Sequence, residues 1–388
     1  METWTLGELV SREYVQLYNR KPWVFRAPGR INLIGEHTDY NQGFVLPASI
    51  DKAAYLAIGP SHDHLCRVTS LDFHETVEFN PEQLYKRETS SWVNYILGVL
   101  DQFLRDGLTI SPFNAVLAAD VPIGGGLSSS AALEAVVAFA INDMNQYRYE
   151  RNELAKLTQL AENEFIGVRC GIMDMFTSLF GHARHAICLD CRDLTYRTVP
   201  LELGAYQLVL FDTGVKHALA NTEFNTRRAE CEQGVGILQN FYPAVHSLRD
   251  VTQAMLTESR EKLGQLVFQR CQYVVRENAR VLLACDHLER GELAAFGRLM
   301  YDSHAGLQHD YAVSCAELDF LVDQCRNYPD VLGARMMGGG FGGNTLNLID
   351  RHAVNSIFGT LAPAYEAKFG RSLKIMPVNV AEGASCLS

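Results

Sequence analysis

The spacing of apolar and polar residues changes period several times along the chain, and each change predicts an element. Val24 to Arg26 and Phe44 to Leu46 flank a loop, whereas Ala53 to Ile58 and Thr76 to Phe79 read as short strands. Trp92 to Phe103 carries its apolar residues on one helical face, and Ala115 to Ala119 returns to a strand. After the glycines at 124 to 126, the run SAALEAVVAFAINDM predicts about four helical turns with a nearly all-apolar surface. A helix without a polar face belongs in the middle of a domain. Leu154, Leu157, Leu160 and Ala161 mark a further helix that ends near Gly167.

The pattern restarts at Leu208 with a strand. Helices over Glu230 to Gln239, Ser259 to Asp286 and Leu293 to Ser303 follow, then strands at Thr345 to Ile349 and Leu373 to Val378. This alternation is too irregular for a doubly wound sheet, so the expected architecture is two α+β domains, residues 1–195 and 196–388.

With 47% hydrophobic and 20% charged residues in 388, the chain can bury a large core, which excludes a mainly disordered state. Lys+Arg 34 against Asp+Glu 45 gives a net charge of −11, and no basic run exceeds Arg227-Arg228, so nucleic acid is not an expected partner. No segment reaches the ~18 consecutive apolar residues of a membrane span, and the N-terminus lacks a signal-like apolar block. The expectation is a soluble, cytoplasmic chain. Its ten cysteines are scattered and read as reduced core residues. The Cys188-Leu-Asp-Cys191 pair has neither the second pair nor the histidines of a zinc site.

Four segments carry candidate chemistry. Pro122-Ile-Gly-Gly-Gly-Leu-Ser-Ser-Ser-Ala131 lies between a strand and a helix start, where free backbone N–H groups and the helix dipole cradle anions and hydroxyls can meet phosphate or Mg²⁺. A helix cap with small residues is the plain alternative. Met337-Gly-Gly-Gly-Phe-Gly-Gly343 matches G-x-G-x-x-G, yet a strand follows, so a dinucleotide fingerprint is excluded and a loop lying against a ligand or another backbone remains. Arg26 to Arg30 and Gly35 to Tyr40 crowd paired donors and acceptors suited to a polyol, or to a solvated turn. In Cys170-Gly-Ile-Met-Asp174 a single acid sits among apolar residues, either paired with a cation or titrating abnormally.

Gly29-Arg-Ile-Asn-Leu-Ile-Gly-Glu-His-Thr-Asp-Tyr40 resembles the galactokinase signature, and the two glycine-rich segments resemble the second and third motifs of the GHMP small-molecule kinases. Ala161-Glu162-Asn163 and Arg227-Arg228 extend the likeness over nearly the whole chain. The resemblance implies an N-terminal ribosomal-protein-like α+β domain, a ferredoxin-like C-terminal domain, and an active site in the cleft between them. It implies transfer of the γ-phosphoryl group of ATP, with Mg²⁺, to the anomeric hydroxyl of galactose, by a monomer. In that scheme Asp174 is the carboxylate beside the anomeric hydroxyl and Arg30 sits next to it. Glu36, His37, Thr38, Asp39 and Gly171 fall on the sugar side, with Phe224 where the family commonly has a tyrosine. Pro122, Gly124, Gly125, Gly126, Leu127, Ser128, Ser129 and Ser130 match the phosphate loop, Trp92 the aromatic near adenine, and Ser130 and Glu162 the Mg²⁺ ligands. Met175 and Asn344 also depart from the family's usual Gln and Cys. Because of Phe224, a sugar such as N-acetylgalactosamine is the alternative substrate, and a non-catalytic galactose sensor the alternative role.

Overall fold

The computed structural model describes residues 4–89, 91–215 and 220–388. Helix α1 (Leu6–Tyr18) opens on Thr5, which forms a reciprocal capping box with Glu8. Then come β1 (Trp23–Asn32), β2 (Phe44–Val45), β3 (Pro47–Pro60), β4 (Cys66–Ser70) and β5 (Glu75–Phe79). Helix α2 (Val93–Arg105), β6 (Phe113–Ala119), α3 (Ser129–Asn145), α4 (Arg151–Leu160) and α5 (Met173–Phe180) lead to the hairpin β7 (His185–Asp190) and β8 (Tyr196–Pro200). The remainder is β9 (Tyr206–Asp212), α6 (Ala220–Gln239), α7 (Gln253–Glu258), α8 (Arg260–Glu289), α9 (Leu293–Ala305), α10 (Ala316–Cys325), β10 (Val331–Met336), β11 (Asn344–Asp350), α11 (Val354–Phe369), β12 (Lys374–Val378) and β13 (Ser385–Cys386).

Period-two alternation divides the first sheet, ordered β13-β1-β3-β6-β4-β5, into two faces. Val24, Ala57 and Val116 pack under α1 with Val10 and Tyr14, while Phe25, Leu56, Ile58 and Leu117 join the large core that holds the α3 residues Ala132, Ala135 and Val136. Helix α3 is buried along most of its length, as its apolar surface requires. The second sheet, β10-β11-β9-β12, is antiparallel and divides in the same way. Leu208, Leu210, Leu346 and Leu348 complete the large core, whereas Val209, Phe211 and Ile349 pack with Leu321 of α10 and Leu361 of α11. One apolar core therefore runs through the junction of the two halves.

The boundary expected at 195/196 falls just before β8, which pairs with β7 in a three-stranded sheet with β2. By strand pairing the second sheet begins at Tyr206, and β13 crosses back to pair with β1. Local pattern could not reveal this, because register with a distant partner sets both facts. The strand read as Ala53 to Ile58 is part of a longer strand, β3, and α6 begins at Ala220, ten residues before the expected start at Glu230. Helix α8 is interrupted at Gly264, whose φ is 70°. Among the described residues no helix is long and apolar enough to cross a membrane.

Candidate active site

Arg30 and Asp174 meet at the centre of the cleft. Strand β1 shifts register between Pro28 and Arg30, and at Gly29 a Cβ would lie 2.7 Å from the Leu127 carbonyl oxygen. The missing side chain lets the 122–131 loop lie on the strand, held by Arg30 N–H to Leu127 O at 3.1 Å. Arg30 then reaches across as a fork, Nε to Asp174 Oδ1 and Nη2 to Oδ2, both at 2.8 Å. Its Nη1 donates to the Gly126 carbonyl, and the Ser128 hydroxyl donates to Asp174 Oδ2. Of the two readings of the acid in CGIMD, the structure shows the cation-paired one.

The sugar-signature loop is clamped from α8. Glu277 accepts the Gly35 N–H at 3.0 Å and Asn278 accepts the Phe44 N–H at 2.9 Å, fixing both ends. Within it, His37 has φ 63° and both ring nitrogens engaged. The Gly339 carbonyl can only accept, so Nε2 carries the proton (3.2 Å) and Nδ1 accepts from the Tyr40 hydroxyl (2.8 Å). Burial, with Arg227 and Arg335 adding to it, holds the imidazole down to about 3, so it is neutral at ordinary pH. Phe224 packs its ring 5.4 Å from that of His37 and 5.1 Å from Tyr40.

Acid groups dominate the rest. Burial first, and then the charge of Asp174, push Asp39 up to about 7. The same two causes push Glu162 up to about 7. Glu162 lies in a π-helical turn, Ala161–Ile166, that continues α4, a distortion that aims single side chains. Its Oε1 accepts from Ser130 at 3.3 Å and its Oε2 from the Cys170 thiol at 3.6 Å. Gly171 faces Asp39 so closely that a Cβ would lie 1.9 Å from Oδ2.

These groups line one cavity of about 490 Å³. Arg30, Glu36, His37, Asp39, Gly171 and Asp174 border it, as do Ser130, Glu162 and Phe224. From the 122–131 loop Gly124, Gly126, Leu127, Ser128 and Ser129 also reach it. Residues 337–343 close another wall against that loop, and at Gly340, φ 86°, a Cβ would strike the Val313 carbonyl at 2.1 Å. Four expected residues fall outside the lining. Thr38 is fully buried and donates to the Gly35 and Phe44 carbonyls, which shapes the loop. Trp92 stacks on Phe73 with centroids 5.8 Å apart and donates Nε1–H to Glu75, and Tyr95 is the α2 aromatic that borders the cavity. Pro122 is exposed at the loop's start, and Gly125 is buried with its carbonyl taken by Asn344. Sequence reasoning also missed Glu134, fully buried one helical turn after Ser130, whose carboxyl burial and the Glu162 charge push well up. A lone acid in an apolar helix was its available signal.

Residues 12–60 match the galactokinase galactose-binding signature, residues 94–182 the N-terminal domain of GHMP kinases and residues 284–365 their C-terminal domain. The chain is 44% identical to a galactokinase of Roseiflexus over 97% of its own length and 96% of the relative's. It is 42% identical to a galactokinase of Thermotoga maritima, covering 92% and 98%. The crystal structure of Lactococcus lactis galactokinase complexed with galactose superposes with a TM-score of 0.94 at 32% identity, covering 99% and 100% of the two chains. Mevalonate kinase of Methanococcus jannaschii shares the fold alone, with a TM-score of 0.67 at 15% identity, covering 93% and 99%. A signature match, full-length identity and a shared cleft architecture converge on one assignment: the chain belongs to the galactokinases of the GHMP kinase family.

Proposed function

We propose that the cleft transfers the γ-phosphoryl group of ATP to the anomeric hydroxyl of α-D-galactose, giving galactose 1-phosphate and ADP. The observation that carries this reading is the Arg30–Asp174 fork, which stands between the phosphate loop and the sugar-signature loop and touches the first through Gly126 and Ser128. Positioning and charge stabilisation supply most of the acceleration in such transfers. Asp174 Oδ2 accepts the proton of the anomeric hydroxyl, which shares or replaces the Ser128 bond, while Arg30 holds the carboxylate plane and offsets charge gathering on the phosphoryl oxygens. Asp39 and Glu36 hold other sugar hydroxyls, and Gly171 leaves Asp39 its room. His37, with its nitrogens committed to Tyr40 and Gly339, shapes the pocket wall.

Mg²⁺ fits beside Ser130 and Glu162. Both offer hard oxygen donors, and Glu162 is a buried carboxyl that no cationic side chain hydrogen-bonds among the described residues. When bound there, the ion offsets the charge on the β- and γ-phosphate oxygens. We infer a monomer as the catalytic unit. Ten free cysteines fit a reducing compartment, and we place the reaction in the cytoplasm. The test is ADP release measured with galactose, N-acetylgalactosamine, galacturonate and arabinose. Galactose should give the highest kcat/KM, and absence of turnover with every sugar would overturn the assignment.

A further inference from the structure

Arg335, on β10, is wholly buried, and its neighbours Ala334 and Met336 are equally buried but apolar. A guanidinium there is costly unless every N–H finds a partner, and packing alone would favour an aliphatic residue. Its partners lie on the opposite half of the molecule. Nη1 donates to the Asn32 carbonyl at 3.0 Å, and Nη2 lies 3.2 Å from Glu36 Oε1. The same Oε1 accepts the Gly338 N–H at 2.8 Å, and the Glu36 carbonyl accepts from Tyr273 at 3.0 Å. Glu36 borders the cavity, and its other oxygen, Oε2, receives no hydrogen bond among the described residues. Nε and Nη2 of Arg335 and both side-chain polar atoms of Asn32 lack well-oriented hydrogen bonds, so the site retains polar groups that a packing role does not explain.

We propose that Arg335 is a positioning residue for sugar recognition: by anchoring Glu36 Oε1 from β10, it aims Oε2 into the cleft and ties the sugar-signature loop to the glycine loop that begins two residues later. This rests on Glu36 contacting the sugar. The charge of Arg335 also acts on His37 and on Tyr273, whose hydroxyl donates to the Glu36 carbonyl.

The experiment is a double-mutant cycle on the full chain, with galactose affinity by calorimetry, KM for galactose and for ATP, and melting temperature. Arg335→Met removes the 3.2 Å ion pair to Glu36 and should raise the galactose KM by about tenfold or more, while leaving the ATP KM within about twofold. Arg335→Lys, which keeps the charge but not the fork, should restore part of the loss. In a Glu36→Gln background, Arg335→Met should cost less than about threefold more, because the two act through one contact. Full additivity, or a lowered melting temperature with an unchanged galactose KM, would overturn the proposal. If Arg335→Met does not fold, Arg335→Lys decides, and an unchanged galactose KM there refutes it. If Glu36→Gln itself leaves galactose affinity unchanged, the sugar role of Glu36 fails. Impaired Glu36→Gln with normal Arg335→Met sinks only the role of Arg335.

Discussion

Gly171→Ala isolates one proposed sugar contact, that of Asp39, with a single methyl group. The new Cβ would stand 1.9 Å from Asp39 Oδ2, 2.2 Å from Cγ and 2.8 Å from Cβ, so rotating the carboxylate alone does not relieve the contact. Non-bonded heavy atoms settle at roughly 3.5 Å, which obliges the carboxylate to withdraw by about 1.5 Å. Gly171 does not occupy the left-handed region, so the substitution adds no backbone strain of its own. Hydrogen bonds to oxygen span about 2.5–3.2 Å, and a displacement of that size breaks one. At pH 8, above the value of about 7 to which Asp39 is raised, a bond to this charged group contributes about 1.5–3 kcal/mol, which predicts a galactose KM about 10- to 150-fold higher. The ATP KM should stay within about twofold and kcat within about threefold, because Asp39 does not touch the transferred group in the proposed scheme. Steady-state kinetics with each substrate varied in turn measures all three. Gly236→Ala, exposed on α6 with open space around the new methyl, is the control. A galactose KM within twofold of the parent, or an ATP KM rising in parallel, would refute the reasoning.

Asp174→Asn should cut kcat by ~10²-fold or more while galactose binding stays within about tenfold, and stopped-flow ADP release with calorimetry separates the two. Ser130→Ala and Glu162→Ala should each need more Mg²⁺ for half-maximal activity, and an unchanged Mg²⁺ dependence in both removes them as ligands. Between about pH 4 and 7 the folded state keeps a proton on Asp39 that the unfolded chain has released, so this group lowers stability as pH rises through that window. His37, held down to about 3, contributes the opposite slope between about pH 3 and 6.5, so the comparison with Asp39→Asn separates them. That variant should make stability rise more, by up to about 1.4 kcal/mol per pH unit, in urea unfolding at pH 5, 6 and 7; an unchanged slope contradicts the shift. Phe224→Tyr should lower the galactose KM two- to tenfold, since a neutral hydrogen bond contributes about 0.5–1.5 kcal/mol. A parent preference for N-acetylgalactosamine that this change reverses would sink the galactose assignment.

What the sequence disclosed follows from the range over which each cause acts. Helix α3 was legible because burial on all sides leaves an unbroken apolar run, and the end of the 154–166 helical stretch was legible because Gly167 closes it with φ 95°. Strand β4 went unread, since Cys66-Arg-Val-Thr-Ser70 alternates with only modest apolar residues. Helix α5 has eight residues, too few for a period to show, although Asp174 in its first turn was singled out. Arg30 and Asp174 were legible within their motifs, but the bidentate geometry that joins them across 144 positions was not. Glu277, Asn278 and Arg335 hold the sugar loop from more than 230 positions away, and nothing in their local sequence announces a partner. Thr38 and Trp92 show the converse, residues inside a recognisable motif whose side chains turn to the scaffold.

The return of β13 to β1 has a consequence for how the protein is made. Phe25 pairs with Cys386, and Val24 exchanges hydrogen bonds with Leu387 and Ser388. At roughly 5–20 residues per second, a ribosome needs about 20–70 s to synthesise the intervening chain. Throughout that interval the outer edge of β1 offers unpaired N–H and C=O groups beside apolar Phe25, a template for strands of other nascent chains. Emergence of residues 385–388, rather than completion of the first sheet's other strands, is what closes that edge.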